Sequence, residues 1–249
     1  MHELAAAVVA GGELARAMYR QGIRSWSKHN DSPVTEADIA VDDMLRRRLT
    51  AFAPAFGWLS EETADDPSRL ARRRVWVVDP IDGTRAFMAG GADWTVSAAL
   101  VDEGRPVAAA LFAPVTEELF LAVAGGGATR NGAPLAISGP PALVEARIAG
   151  PGPWLDHLDH RAPIQRMPRI RSLALRLARV ADGGLDAALA SPNGCDWDLA
   201  AADLLVHEAQ GRLTTLDGGS LVYNAAIPRH GALVCAGAAL HSLILEAAR

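Results

Sequence analysis

"RRRVWVVDPIDGTRAF", residues 72–87, decides how this chain is read. The apolar run Val75-Trp76-Val77-Val78, rich in β-branched residues and closed by a proline, predicts a short buried strand over 75–79. Asp79 then stands at the carboxyl end of that strand. Pro80 is expected to stop the ladder, Gly83 to permit a turn, and Thr84 to cap a short following helix. Strand, tight turn and helix would expose backbone N–H groups beside two carboxylates, Asp79 and Asp82. That pairing makes physical sense with a cation between the acids.

The 249 residues carry 50% hydrophobic side chains, ample for a sizeable core, and a net charge of −5. Arg46-Arg47-Arg48 and Arg72-Arg73-Arg74 have no wider basic region behind them and read as solvated faces, so neither a nucleic-acid polymer nor a membrane is expected as partner. The first residues, "MHELAAAVVAGGELARAMYRQG", look like an amphipathic helix rather than a signal peptide, and no run approaches the roughly 18 apolar residues of a membrane span. Cys195 and Cys235 form neither a CxxC pair nor a disulfide framework, which suits the cytoplasm.

Residues 2–21 and 34–52 read as helices, the second opening on "TEAD", where Thr35 and Asp38 have capping-box spacing. After the strand, "WTVSAALV", "PVAAALFAP" and "EELFLAV" are short apolar runs bounded by turn residues, which gives an α+β first part. "GGGATRNGAPL" has no Lys-Ser/Thr after its glycines, so it is a hairpin connection and not a P-loop. Residues 138–168 are Pro-rich and read as an irregular junction. Beyond them "RSLALRLARVA" reads as a helix, "LDAALA" as a strand, "WDLAAADLLVHEAQG" as a helix closed by Gly211, and "GALVCAG" as a strand before a last helix. The chain is therefore expected to be one unit, with an α+β subdomain over about 1–138 and an α/β subdomain over about 139–249.

Three more acidic positions fall where buried or half-buried structure is expected: Glu61-Glu62, Asp198 at the head of an alanine-rich helix, and Asp38. Each has a plain reading alone: a solvated loop, a complement to a helix dipole, a cap. The two carboxylates of DPIDGT are poor structural choices, because an unpaired buried ion costs several kcal/mol. With Lys, Arg and His scarce in these segments, a hard divalent cation on oxygen ligands is the economical partner, and Mg²⁺ would leave positions open for a phosphorylated substrate.

"PVTEAD" (33–38), "LSEE" (59–62), "DPIDGTRAF" (79–87) and "WDLAAADLLVHEAQGRL" (197–213) occur in the order and rough separation found in the inositol monophosphatase family of lithium-sensitive, Mg²⁺-dependent phosphatases, and the chain resembles that family over nearly its whole length. The resemblance implies a five-layered αβαβα sandwich, a cytoplasmic homodimer and a small phosphorylated metabolite as substrate. It implies two or three Mg²⁺ ions, with Mn²⁺ as a substitute. Glu61, Asp79 and the carbonyl of Ile81 would hold one ion, and Asp79, Asp82 and Asp198 a second. Gly83 and Thr84 would offer N–H groups to the phosphate, with Arg85 and Asp198 also on the substrate. Thr84 with Asp38 would activate the attacking water, and Glu62 would support it.

Members of the family cleave inositol monophosphates, 3′-phosphoadenosine 5′-phosphate, histidinol phosphate or fructose 1,6-bisphosphate. Arg85 and "LSEE" resemble the bacterial bisphosphate nucleotidases, while Ala190 and Ser191 occupy the neighbourhood in which inositol-specific members carry a glutamate. The expectation is thus 3′-phosphoadenosine 5′-phosphate, with Asp196 as a stand-in carboxylate if the substrate is inositol 1-phosphate. Gln210, where Gly is common, and Arg171, where a small residue is usual, are expected to reshape the pocket. Two other classes stay open: a non-catalytic metal- or phosphate-binding module, and a His-ligated hydrolase built on His157 and His160, which lack a third ligand.

Overall fold

The apolar run at 75–78 lies inside a seven-stranded sheet of a computed structural model that describes residues 1–22, 24–27, 33–139 and 142–247. In chain order the elements are α1 (His2–Gln21), β1 (Ser25–Ser27), β2 (Pro33–Thr35), α2 (Glu36–Phe52), β3 (Gly57–Ser60), β4 (Arg74–Asp82), α3 (Thr84–Met88), β5 (Thr95–Asp102), β6 (Arg105–Ala113), β7 (Glu118–Val123), β8 (Gly127–Arg130) and β9 (Ala133–Pro134). They continue with β10 (Arg147–Ala149), α4 (Gly152–Arg161), β11 (Gln165–Arg166), α5 (Leu173–Ala181), β12 (Ala187–Ala190), α6 (Asp196–Glu208), β13 (Gly211–Thr215), β14 (Leu233–Gly237) and α7 (Ala238–Ala247). The large sheet has the order β3-β4-β5-β6-β7-β8-β9, and a five-stranded sheet has the order β11-β10-β12-β14-β13.

Three apolar clusters stack these sheets into five layers. Helices α1 and α2 cover one face of the large sheet through Val8, Val41, Leu45, Val78 and Val96. α5 and α6 fill the space between the sheets: Leu177, Ala201 and Leu205 meet Val77, Ala99 and Leu111 on one side and Ala188 and Cys235 on the other. α4 and α7 close the outer face of the small sheet through Leu155, Leu158, Leu240 and Ile244. The architecture is the αβαβα sandwich. A helix buried between two sheets must be apolar nearly all round, which is why α6 reads "LAAADLLV".

Several local expectations are corrected. The ladder does not stop at Pro80: it is irregular between Asp79, paired with Ser97, and Asp82, paired with Thr95, so β4 runs to Asp82. A bulge tolerates the missing proline N–H. Thr84 is the first helical residue and Gly83, at φ 95°, is the N-cap; a Cβ there would lie 2.6 Å from the carbonyl oxygen of Asp93. α2 begins at Glu36, because Pro33–Thr35 pairs with β1 and Thr35 is the cap. α6 ends at Glu208, and Gln210 at φ 70°, not Gly211, makes the left-handed turn. The stretch 138–168 holds β10, α4 and β11. Its prolines misled, because Pro151 and Pro153 sit at the start of α4, where a missing N–H breaks no helical bond. Among the described residues no helix is long and apolar enough to cross a membrane, and both cysteines are free and buried.

Gly12 shows how closely α1 lies on the sheet. A Cβ there would come within 2.5 Å of Phe112 Cδ1 and 2.6 Å of Pro114 Cγ. Ala in place of a mid-helix Gly gains up to about 1 kcal/mol in propensity, but overpacking costs about 1–3 kcal/mol. Gly12→Ala is therefore expected to lower Tm by a few degrees in calorimetry, about 2–4 °C per kcal/mol for a chain of this size. A raised Tm would mean that α1 can shift without cost.

Candidate active site

β3 and β4 run parallel in register, Ser60 opposite Val78, so Glu61, just past the end of β3, comes beside Asp79 of β4. Asp79 is 1% exposed. Its Oδ1 accepts the N–H of Ile81 at 3.0 Å, and its Oδ2 is buried with no hydrogen-bond partner among the described residues. Asp198, in the first turn of α6, accepts the N–H of Cys195 at 2.7 Å. One carboxylate oxygen each from Glu61, Asp79 and Asp198 lies within 4.8 Å of the others.

Asp82 is not one of this trio. Its Oδ2 accepts from Ser172 Oγ at 2.5 Å and from the N–H of Ala174 at 2.7 Å, so it ties the end of β4 to the start of α5. Burial, then the neighbouring carboxylates, hold Asp79 well above the ordinary carboxylate range. Burial and the negative charge of Asp82 do the same to Asp198. Asp82 is pushed up to about 6, chiefly by burial and against its bonds to Ser172 and Ala174.

The hydroxyl of Thr84 lies 3.1 Å from Asp38 Oδ1 and 3.1 Å from the carbonyl oxygen of Ile81, and its single proton can serve one of them at a time. Asp38 Oδ2 accepts from the N–H of Thr35 at 2.8 Å and from its hydroxyl at 2.5 Å, completing the capping box. Asp38 is thus both a cap and a partner of Thr84, and burial raises its carboxyl. One helical turn on, the buried Asp42 receives the hydroxyls of Ser60 and Thr63 on its two oxygens. It clamps the segment that carries Glu61 and Glu62.

A cleft of about 600 Å³ opens on these groups, lined by Glu61, Asp79, Ile81, Asp82, Gly83, Thr84 and Asp198 together with Arg85, Arg169 and Arg171. Arg171 Nη1 donates to the carbonyl of Arg85 at 3.3 Å. Asp38 stands behind Thr84, and Glu62 is half-buried next to Glu61 without lining the cleft. Asp196 supplies no carboxylate here: it is fully buried, pairing with His230 Nε2 at 2.7 Å and accepting the N–H of Asn224 at 2.6 Å. Gln210 does not line the cleft either, and its positive φ explains why a glycine would suit its position. His157 and His160 donate to the carbonyls of Ala247 and Asp156 on the outer layer. Sequence reasoning missed Asp42, Arg169 and Ser172, whose roles depend on partners distant in the chain.

An all-oxygen trio in which Asp79 has a buried oxygen with no partner among the described residues fits a hard divalent cation. The inositol monophosphatase family model matches residues 2–249. An inositol-1-monophosphatase of Mesorhizobium japonicum is 31% identical over 98% of this chain and 93% of its own length. A 3′(2′),5′-bisphosphate nucleotidase of Aggregatibacter actinomycetemcomitans is 29% identical over 86% and 83%. The crystal structure of extragenic suppressor protein suhB from Bartonella henselae superposes with a TM-score of 0.87 at 27% identity, covering 99% of this chain and 97% of that one.

Asp42→Ala would leave two hydroxyls without their acceptor and loosen the Glu61 segment. Loss of a group that orients a ligand typically costs 10–100-fold in metal affinity or activity. The variant is expected to bind Mg²⁺ about 10-fold or more weakly in isothermal titration while remaining folded by circular dichroism. Unchanged affinity would remove Asp42 from the site.

Proposed function

The chain belongs to the inositol monophosphatase family and is a phosphomonoester hydrolase, and from that premise we propose that it releases inorganic phosphate from a small metabolite in the acidic cleft with Mg²⁺ as cofactor. The observation that carries the reading is the Glu61–Asp79–Asp198 trio together with the buried Asp79 oxygen that has no donor among the described residues. Glu61, Asp79 and the carbonyl of Ile81 would hold one ion, Asp79, Asp82 and Asp198 a second, and Mn²⁺ would substitute. When bound, the ions neutralise the phosphoryl oxygens and lower the pKa of water.

The protein groups do the positioning. Gly83 and Thr84 open α3, where first-turn N–H groups have no helical acceptor and can receive phosphate oxygens. Water attacking phosphorus would give its proton to Thr84 Oγ1 as the Thr84 proton moves to Asp38 Oδ1, 3.1 Å away, while the ester P–O bond breaks and the departing alkoxide takes a proton from solvent; Glu62 would support the step from beside Glu61. Phosphoryl transfer depends chiefly on such placement and on charge neutralisation.

For the substrate, Arg85, Arg169 and Arg171 in the lining support a molecule with a second anionic group, and 3′-phosphoadenosine 5′-phosphate is the reading this favours. The second reading, inositol 1-phosphate, is favoured by the 31% identity to the rhizobial enzyme, and histidinol phosphate and fructose 1,6-bisphosphate complete the panel to be compared. A cytoplasmic homodimer belongs to the same proposal.

Chelation is expected to abolish phosphate release and added Mg²⁺ to restore it. Asp79→Asn is expected to fold normally and to lose several orders of magnitude in kcat. Full activity after exhaustive chelation, or near-normal turnover by the variant, would sink the reading. Thr84→Ala should reduce kcat far more than it weakens Mg²⁺ binding, because its hydroxyl is assigned to the water and not to an ion. Equal losses would contradict that assignment.

A further inference from the structure

Arg69 sits in the 3₁₀ turn Pro67–Ala71 between β3 and β4, is 1% exposed and does not line the acidic cleft. It makes five hydrogen bonds, as many as a guanidinium has N–H groups. Nε and Nη2 meet the two oxygens of Asp65 at 2.6 and 2.9 Å, Nη1 donates to Asn224 Oδ1 at 2.6 Å, and Nη1 and Nη2 both donate to the carbonyl of Ala225 at 3.1 Å. Asp65 lies four residues beyond Glu61 on the same connecting segment, whereas Asn224 and Ala225 belong to the second half of the chain. Asn224 carries the tie onward. Its backbone N–H donates to Asp196 Oδ2 at 2.6 Å, and Asp196, fully buried in the first turn of α6, stands two residues before Asp198. Asn224 serves both neighbours at φ 61°, in the left-handed region that asparagine tolerates.

Of the acidic trio, Asp79 lies in β4 and Asp198 in α6, while Glu61 alone lies outside a strand or helix. Asp42 fixes the Glu61 segment to α2, which belongs to the same half of the chain. Holding Glu61 at a set distance from Asp198 needs a link to the other half. The route Asp65–Arg69–Asn224–Asp196 is hydrogen-bonded at every step and ends on the helical turn that carries Asp198.

We infer that Arg69 is a positioning residue for the trio: by holding Asp65 on one side and Asn224 on the other, its guanidinium sets the separation of Glu61 from Asp198 and so the affinity for a divalent cation. The inference rests on the reading of the trio as a Mg²⁺ site. A lysine cannot take this place, because an ammonium is a compact charge with three donors and does not span the same partners.

The test measures Mg²⁺ affinity by isothermal titration, and p-nitrophenyl phosphate hydrolysis across Mg²⁺ concentrations, in wild type, Asp65→Ala, Asn224→Gly, the double variant and Arg69→Lys, with folding followed by circular dichroism. The Asp65 side chain is 42% exposed, so water can take its place, and glycine suits the φ of Asn224. Each single variant is expected to bind Mg²⁺ about 10-fold more weakly. The double variant should bind no more weakly than the worse single, because either cut severs the same tie. The rate deficit should appear as a raised Mg²⁺ requirement and close at saturating Mg²⁺, since Thr84 and Asp38 are untouched. Should Asp65→Ala leave the buried guanidinium too poorly compensated to fold, Asn224→Gly, which removes a neutral partner, carries the comparison. Unchanged affinity in the folded variants, full affinity in a folded Arg69→Lys, additive losses in the double variant, or a rate deficit that saturating Mg²⁺ leaves in place would each overturn the inference and leave the phosphatase reading standing. If wild-type protein binds Mg²⁺ but hydrolyses neither p-nitrophenyl phosphate nor the metabolite panel, the proposed function fails and the affinity series alone decides the role of Arg69. If it binds no Mg²⁺, both are overturned.

Discussion

Asp79 Oδ2 is buried without a donor among the described residues, and the charges of Glu61, Asp82, Asp198 and Asp38 all press on the same carboxyl. Desolvating one such ion costs several kcal/mol even after relaxation. The chain offsets part of this. Asp38 and Asp198 complete the capping boxes of α2 and α6 by accepting the N–H of Thr35 and of Cys195, and Asp82 accepts the first-turn N–H of Ala174 in α5, so three of the acids also satisfy helix starts. A cap is worth about 0.5–2 kcal/mol, and a favourably placed helix terminus adds up to about 2. Those amounts keep the three acids in place but do not neutralise the cluster. Asp79 belongs to no helix, and a cation is the partner that its geometry leaves room for.

The layers exist to bring these helix starts to one strand end. β3 and β4 run parallel, so both deliver their exits to the same edge of the large sheet, while α5 and α6, from the second half of the sequence, pack into the layer against that sheet. The site is therefore built from both halves, and its rigidity is inherited from the central apolar layer. The bulge between Asp79 and Asp82 lets one strand supply two acids with different partners, one in the trio and one bonded to α5.

What was legible in the sequence was local. The run 75–78 is buried on both faces and so is apolar without alternation, and the Thr35–Asp38 box needs only three residues of separation. The acids themselves stood out because carboxylates inside apolar segments demand a partner. What was illegible was long-range. Ser172 meets Asp82 across 90 residues, and nothing about an isolated serine announces that contact. Asp42 looks like an ordinary helical aspartate until Ser60 and Thr63 fold back on it. Asp196 reads as a neighbour of Asp198, but helical residues two apart point in different directions, and His230 holds it in the interior. The prolines of 138–168 obscured α4 because proline breaks a helix interior and yet suits its first turn.

The cleft also holds both signs of charge, the acids together with Arg85, Arg169 and Arg171. A phosphomonoester dianion approaching the acids alone would be repelled, so under the proposed function the cations must be present before the phosphate can settle there. The arginine wall works in the other sense. It attracts anions with or without metal, and the bond from Arg171 to the carbonyl of Arg85 keeps two of its members adjacent despite their like charge. A substrate with a single anionic group leaves either the cations at the acids or the arginines without an anion, whereas one with two can put each where a positive charge awaits it. Electrostatic complementarity of this kind rewards orientation and selectivity more than raw affinity. Under the proposed function the distribution of arginines thus bears on substrate choice, while the acids bear on phosphate release.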